Sequence, residues 1–185
     1  MIEKLGDTQD LICISGEGSL LLFLPDSLRS QWSGTDVPTD RQVTANFRWA
    51  GPGTPATDYD RACDVTGCIE KIAVGNGEGI VIADDYPVHW MPLPQGGIFL
   101  RITDLWEDLR SILPLMEEEM WSETSFEYEV KEHHFVLFDP AYRGDDMEER
   151  IEISLGTGRY RVATIERTIE GVPLIAHQLV LQPIE

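Results

Sequence analysis

Five large apolar residues in a row, Leu20-Leu21-Leu22-Phe23-Leu24, closed by Pro25, constrain this chain more than any other feature of its sequence. Side chains on a strand alternate between its two faces, so a run without alternation must be covered from both sides. The run is far too short to cross a bilayer as a helix, which takes about 20 apolar residues. Gly16-Glu17-Gly18 before it reads as turn material, and Pro25-Asp26-Ser27 after it opens a short helix that runs through Trp32 and stops at Ser33-Gly34. The expectation is a strand buried on both faces.

Short strands recur from there on. They are expected at 11–15, 67–74, 79–83, 88–91 and 98–102, and in the second half at 125–130, 134–138, 150–155, 159–167 and 174–182. Asn76-Gly77 is a hairpin cue between two of them. Ile151, Ile153 and Leu155 alternate with Arg150, Glu152 and Ser154, and the same period-two pattern returns in Tyr160, Val162, Thr164 and in Leu179, Leu181. Residues 35–57 are rich in Gly, Pro, Thr and Asp and read as a long loop with one short strand at 45–49. Thr57-Asp58 would cap a brief helical turn through Cys63. The best helix lies at 104–121, where Leu105, Leu109, Ile112 and Leu113 have helical spacing until Pro114 ends or kinks it. The fold class is therefore predominantly β (α+β), with antiparallel sheets in two β-rich lobes, 1–103 and 104–185, and few short helices.

Charge decides which partners such a fold can meet. The 185 residues carry 33 acids against 14 bases, a formal net charge of -19. Nucleic acid and anionic membranes would repel it, whereas a basic partner would attract it. A hydrophobic fraction of 42% rules out an acidic disordered tail. Only Lys4, Lys71 and Lys131 are lysines, so arginine dominates the bases, a usage that codon bias or salt adaptation also produces. Residues 1–103 have a net charge of -7 and residues 104–185 of -12, with dense clusters at Glu117-Glu118-Glu119 and at Asp145, Asp146, Glu148 and Glu149.

Chemistry finds little purchase in the sequence. Cys13, Cys63 and Cys68 are odd in number and form no CxxC pair, so neither a disulfide framework nor a zinc knuckle is indicated. His133 and His134 are adjacent and would point to opposite faces of a strand. His89 and His177 have no metal-ligand spacing with them, and the acids at 145–149 lack the glycine and alternating ligands of a calcium loop. Gly75-Asn76-Gly77-Glu78-Gly79 lacks the lysine and the following helix of a phosphate loop. No nucleophile motif is present. No catalytic residue, cofactor or metal is expected. Trp32, Trp49 and Trp90, flanked by turn residues, are expected to seal the edge of a β core; Trp106 and Trp121, amid acids, either pack in the core or anchor an interface.

Several short stretches, taken in order and spacing, resemble a family of bacterial immunity proteins, the group numbered twenty-one. They are Ser15-Gly16-Glu17-Gly18 before the apolar run, Trp32-Ser33-Gly34, Asp58-Tyr59-Asp60-Arg61-Ala62-Cys63, Ile72-Ala73-Val74-Gly75, and Ala83-Asp84-Asp85-Tyr86-Pro87 with Trp90. They span about half the chain, from Ser15 to Arg101. Departures are Glu17-Gly18 where two glycines are expected, and Asp85-Tyr86 where a Glu is expected before the proline. In the second half, Phe135-Val136-Leu137-Phe138-Asp139-Pro140, Ile153-Ser154-Leu155 and Gly158-Arg159-Tyr160-Arg161-Val162 are similar to the sandwich of competence-nuclease inhibitors.

Both resemblances imply binding and inhibition without catalysis. The reading is a cytoplasmic immunity protein of a polymorphic toxin system that binds a cognate, basic toxin, such as a nuclease, through an acidic surface. The residues expected to face that partner are Glu117, Glu118, Glu119, Trp121, Tyr142, Asp145, Asp146, Glu148 and Glu149. The alternatives are a β-rich interaction module of another system, and a hydrolase or small-ligand binder.

Overall fold

The computed structural model describes residues 12–14, 20–83, 87–102, 116, 121, 124–169 and 171–183. Strand β1 (Ile12–Ile14) precedes β2 (Leu20–Pro25), which runs into a 3-10 turn at Asp26–Gln31; a long loop leads to helix α1 (Asp58–Cys63). Hairpin β3 (Ile69–Val74) and β4 (Gly77–Ala83) follows, then β5 (Val88–Leu93) and β6 (Gly96–Ile102). The second half adds β7 (Thr124–Val130), β8 (His134–Phe138), β9 (Ile151–Ser154), β10 (Gly158–Ile169) and β11 (Val172–Leu181).

The strands form two antiparallel sheets, one of six in the order β1-β5-β6-β11-β10-β7 and one of five in the order β3-β4-β2-β8-β9. The boundary at 103/104 does not separate them. Leu174 of β11 pairs with Ile102 of β6, and Leu22 of β2 with Phe138 of β8, so each sheet takes strands from both halves of the chain.

Between the sheets lies the main core. Phe23 is its centre, stacked on Phe135 of its own sheet at a ring separation of 4.7 Å and edge-on to Phe99 of the other sheet at 5.2 Å. Such offset and edge geometries favour aromatic pairs beyond the area they bury. The alternating residues Ile151, Ile153, Leu155, Tyr160, Val162 and Leu179 all point into it. The Tyr128 hydroxyl crosses from one sheet to the other to donate to the Glu78 carbonyl at 2.8 Å.

Each sheet is also covered on its outer face. Met91, Ile98, Leu100, Ala163, Ile165, Leu174 and Ala176 on the six-stranded sheet pack with Met116 and Trp121. Leu22, Leu24, Val74, Val81, Val136 and Phe138 on the five-stranded sheet pack beneath Leu28, Trp32, Ala62 and Met147. That double cover is why β2 is apolar at every position: Leu21 and Phe23 face the central core, Leu22 and Leu24 the outer one. Apart from Met116 and Trp121, the helix expected at 104–121 lies outside the described residues.

Two local expectations shift. The β3–β4 turn residues are Gly75-Asn76, one place before Asn76-Gly77, with Gly75 at φ 56° and Val74 paired to Gly77. No strand forms at 45–49, because the backbone N–H groups there are taken by carboxylates of α1 and its C-cap.

Candidate partner-binding surface

The outer layer over the five-stranded sheet is built on three aspartates, two in one short helix and one at its C-cap. Thr57 caps α1, accepting from the Asp60 N–H at 3.2 Å, while the Asp60 carboxylate accepts the Thr57 N–H at 2.8 Å in a capping box. The other Asp60 oxygen accepts the Trp49 N–H at 2.8 Å. Asp64, the C-cap residue, accepts the N–H groups of Asn46 at 2.5 Å and Phe47 at 2.8 Å. Asp58 is 1% exposed and accepts the Ser33 N–H at 2.9 Å, the Arg61 guanidinium at 3.1 Å and the Arg41 guanidinium. A loop without secondary structure of its own thus satisfies its backbone donors on fixed carboxylates.

Arginines in this layer turn inward. Arg48 donates to the carbonyls of Ala45, Phe47 and Thr54, all in its own loop. Arg41 donates to the Gln31 carbonyl at 2.7 Å as well as to Asp58, and Arg61 to the Ala73 carbonyl.

A second loop, 139–149, is clamped to the first. Trp32 is buried; its indole N–H donates to the Pro140 carbonyl at 2.8 Å, and its carbonyl accepts the Gly144 N–H at 3.0 Å. Thr35 donates to the Ala141 carbonyl at 3.1 Å. Gly34 sits where the loops cross, at φ 60°, and a Cβ there would meet the Ala141 carbonyl oxygen at 2.5 Å. Met147 plugs the outer core, leaving Asp145, Asp146, Glu148 and Glu149 exposed around it. Arg143 holds both Asp145 oxygens, at 3.1 and 3.2 Å, and this bonding lowers the Asp145 carboxyl below its ordinary 3.8.

The sequence-predicted site divides accordingly. Tyr142, Asp145, Asp146, Glu148 and Glu149 come together on one exposed loop. Glu117, Glu118 and Glu119 lie outside the described residues. Trp121 is 6% exposed and packed on the six-stranded sheet, the core position among its two readings. Trp32 and Trp90 are buried as expected, but Trp49 is not a core seal: its side chain is 53% exposed. With Val37, Phe47 and Tyr142 it completes the exposed large hydrophobics among the described residues, all four from these two loops. Phe47 went unnoticed in the sequence, where a single aromatic in a polar loop gives no sign of which way it points.

Other chemistry-bearing groups are used structurally. His177 is fully buried, with its Nδ1 3.0 Å from the Thr164 hydroxyl; burial first, then the Arg101 charge, lowers its pKa to about 3 and keeps the ring neutral. Cys63 is half-buried on α1, and burial pushes its thiol up, away from a reactive thiolate. Among the described residues no group of three or more His, Cys, Asp or Glu is placed to hold a metal ion, and no helix is long and apolar enough to cross a membrane.

Against known families, the family model described as immunity protein 21 matches residues 13–171. The chain belongs to the immunity protein 21 family. The match runs across both halves, well beyond the stretch from Ser15 to Arg101 that carried the resemblance in the sequence. No curated protein and no solved structure matches. Immunity proteins in general neutralise a toxin and are not catalysts, and for this immunity protein 21 member a toxin is the partner the family implies.

Proposed function

We propose that this chain neutralises a basic toxin domain of a polymorphic toxin system, a nuclease, by seating an acidic surface in its phosphate-binding cleft. The observation that carries the reading is the clamped 139–149 loop, which holds four exposed carboxylates and Tyr142 on a chain of net charge -19. Glu117, Glu118 and Glu119 belong to the same proposed face by charge. Fixed carboxylates would imitate the phosphates that such a cleft is built to bind. Opposite fields speed encounter by roughly 10–10³-fold, a gain that added salt removes. Neutralisation would take place in the cytoplasm, where an unprotected nuclease acts, without the chain itself touching nucleic acid or membrane.

Co-expression with the product of the neighbouring upstream reading frame tests the role: the frame alone should kill, and this chain should restore growth. A frame that is harmless alone, or still toxic beside this chain, would overturn the reading. The acidic face is tested with Asp145→Asn, Asp146→Asn, Glu148→Gln and Glu149→Gln together, and separately with Glu117, Glu118 and Glu119 changed to Gln. Association should slow by about tenfold or more and lose salt dependence, with dissociation little changed.

A further inference from the structure

The exposed aromatics of the 42–57 loop belong to none of the hydrophobic clusters among the described residues. Phe47 is 45% and Trp49 53% exposed, whereas Trp32 and Trp90, of the same chemistry, are buried. The backbone beneath them is nevertheless anchored at several points. The N–H groups of Asn46, Phe47 and Trp49 end on Asp64 and Asp60, and Arg48 between the two aromatics spends its guanidinium on three carbonyls of the same loop. The turn that follows is closed by Thr54, whose N–H and hydroxyl both donate to the Gly51 carbonyl. Held this way, Phe47 and Trp49 lose little backbone entropy when they are covered, which is what distinguishes a binding anchor from a loose surface residue.

Charge indicates what covers them. Arg48 and Arg61 point inward to internal acceptors and Arg41 divides its guanidinium between buried Asp58 and exposed Asp40, while Asp36 and Asp40 of the same segment face solvent. The neighbouring loop, fastened at Gly34 and Thr35, adds Tyr142 and its acids. Across residues 33–64 and 139–150 the exposed charges are six acids, Asp36, Asp40, Asp145, Asp146, Glu148 and Glu149, against two arginines, Arg143 and Arg150. An apolar pair in an acidic surround fits an apolar pocket rimmed by lysine or arginine. It fits a second copy of this acidic chain poorly, because two such surrounds repel.

We infer that Phe47 and Trp49 are the residence-time anchors of the toxin complex, inserting into an apolar pocket with a basic rim on the toxin, while the carboxylates of the 139–149 loop govern encounter. This rests on the reading above that a basic toxin is the partner, and it adds that affinity resides in the 42–57 loop, which that reading does not require.

The two are separated by kinetics of binding to the purified product of the neighbouring upstream frame, carrying a substitution that disables its toxicity. Phe47→Ala with Trp49→Ala should raise the dissociation rate about 30-fold or more, leaving the association rate and its salt slope within twofold of the parent. Trp49→Tyr, which restores an aromatic face, should recover most of that loss. Both side chains are exposed, so an unchanged melting midpoint will certify the fold. A dissociation rate within twofold of the parent in the double variant overturns the anchor and leaves the acidic-face reading standing. A parent chain that does not bind at all overturns both. A parent chain that sediments as a dimer, dissociated by the double variant, assigns the aromatics to a second copy and overturns the anchor.

Discussion

Two sets of carboxylates occupy the same outer layer and do opposite things. Asp58 and Asp60 on α1 are buried, and every oxygen of theirs accepts a backbone N–H or a guanidinium. Asp145, Asp146, Glu148 and Glu149 stand in solvent, and only Asp145 has a close ionic partner, Arg143. In the sequence all six contribute alike to the net charge. Position relative to backbone donors, not composition, decides which acids build the protein and which are left to meet another molecule.

The sharpest way to break that comparison is to remove a buried member. Asp58→Ala leaves Arg41, Arg61 and the Ser33 N–H without their shared acceptor. Both guanidiniums retain some access to water, so the loss should be about 3 kcal/mol, toward the lower end for a broken buried pair. That corresponds to a melting midpoint lower by about 9 °C for a chain of this size. A midpoint unchanged within a degree would place Asp58 with the exposed acids. Asp60→Ala should cost less, about 2 kcal/mol, since it removes acceptors for two N–H groups and no ion pair. Its specific sign is faster hydrogen exchange at the Trp49 amide, while amides of β2 slow or quicken only as much as global stability dictates.

The exposed set gives the smallest effect. Arg143→Gln removes the main cause of the lowered Asp145 pKa, so the Asp145 titration followed by carboxyl NMR should move up toward 3.8. Because the folded value is depressed, whatever this pair adds to stability is present above pH 3.8 and disappears as pH falls through the folded midpoint. On so exposed a pair, thermal stability at neutral pH should scarcely change. A clear loss there would mean that the loop is braced by its charges and not by Trp32, Gly144 and Met147.

The strands were largely legible, and for a local reason: period-two alternation and turn residues are written in adjacent positions. Ile151, Ile153 and Leu155 face the core as their spacing predicts, and the all-apolar β2 has the two covered faces it requires. The capped turn at Thr57-Asp58 was equally readable. What failed was anything settled by residues distant in sequence. A short strand at 45–49 is a fair reading of that stretch alone, until Asp60 and Asp64, 11 and 18 residues away from Trp49 and Asn46, take its N–H groups. The same distance hides the exposure of Trp49, which the turn residues beside it place at the edge of a β core, and the pairing of β6 with β11 from the other half of the chain. Of the site, the acids and Tyr142 were visible as a cluster. Which aromatics stand out from the surface depends on the loop's path, which no local pattern encodes.

The place of β11 also sets a clock. Strand β11, which follows every other described strand in the chain, lies between β6 and β10, inside the six-stranded sheet and not at its edge. At about 5–20 residues per second, a ribosome that has finished β6 at Ile102 needs roughly 4–14 s more to reach β11 at Val172. Until it has emerged, β6 and β10 each lack a neighbour, and the sheet behind the central core stays open. A central core whose back closes only when β11 is in place should reach its final packing in one late step, not strand by strand as the chain emerges.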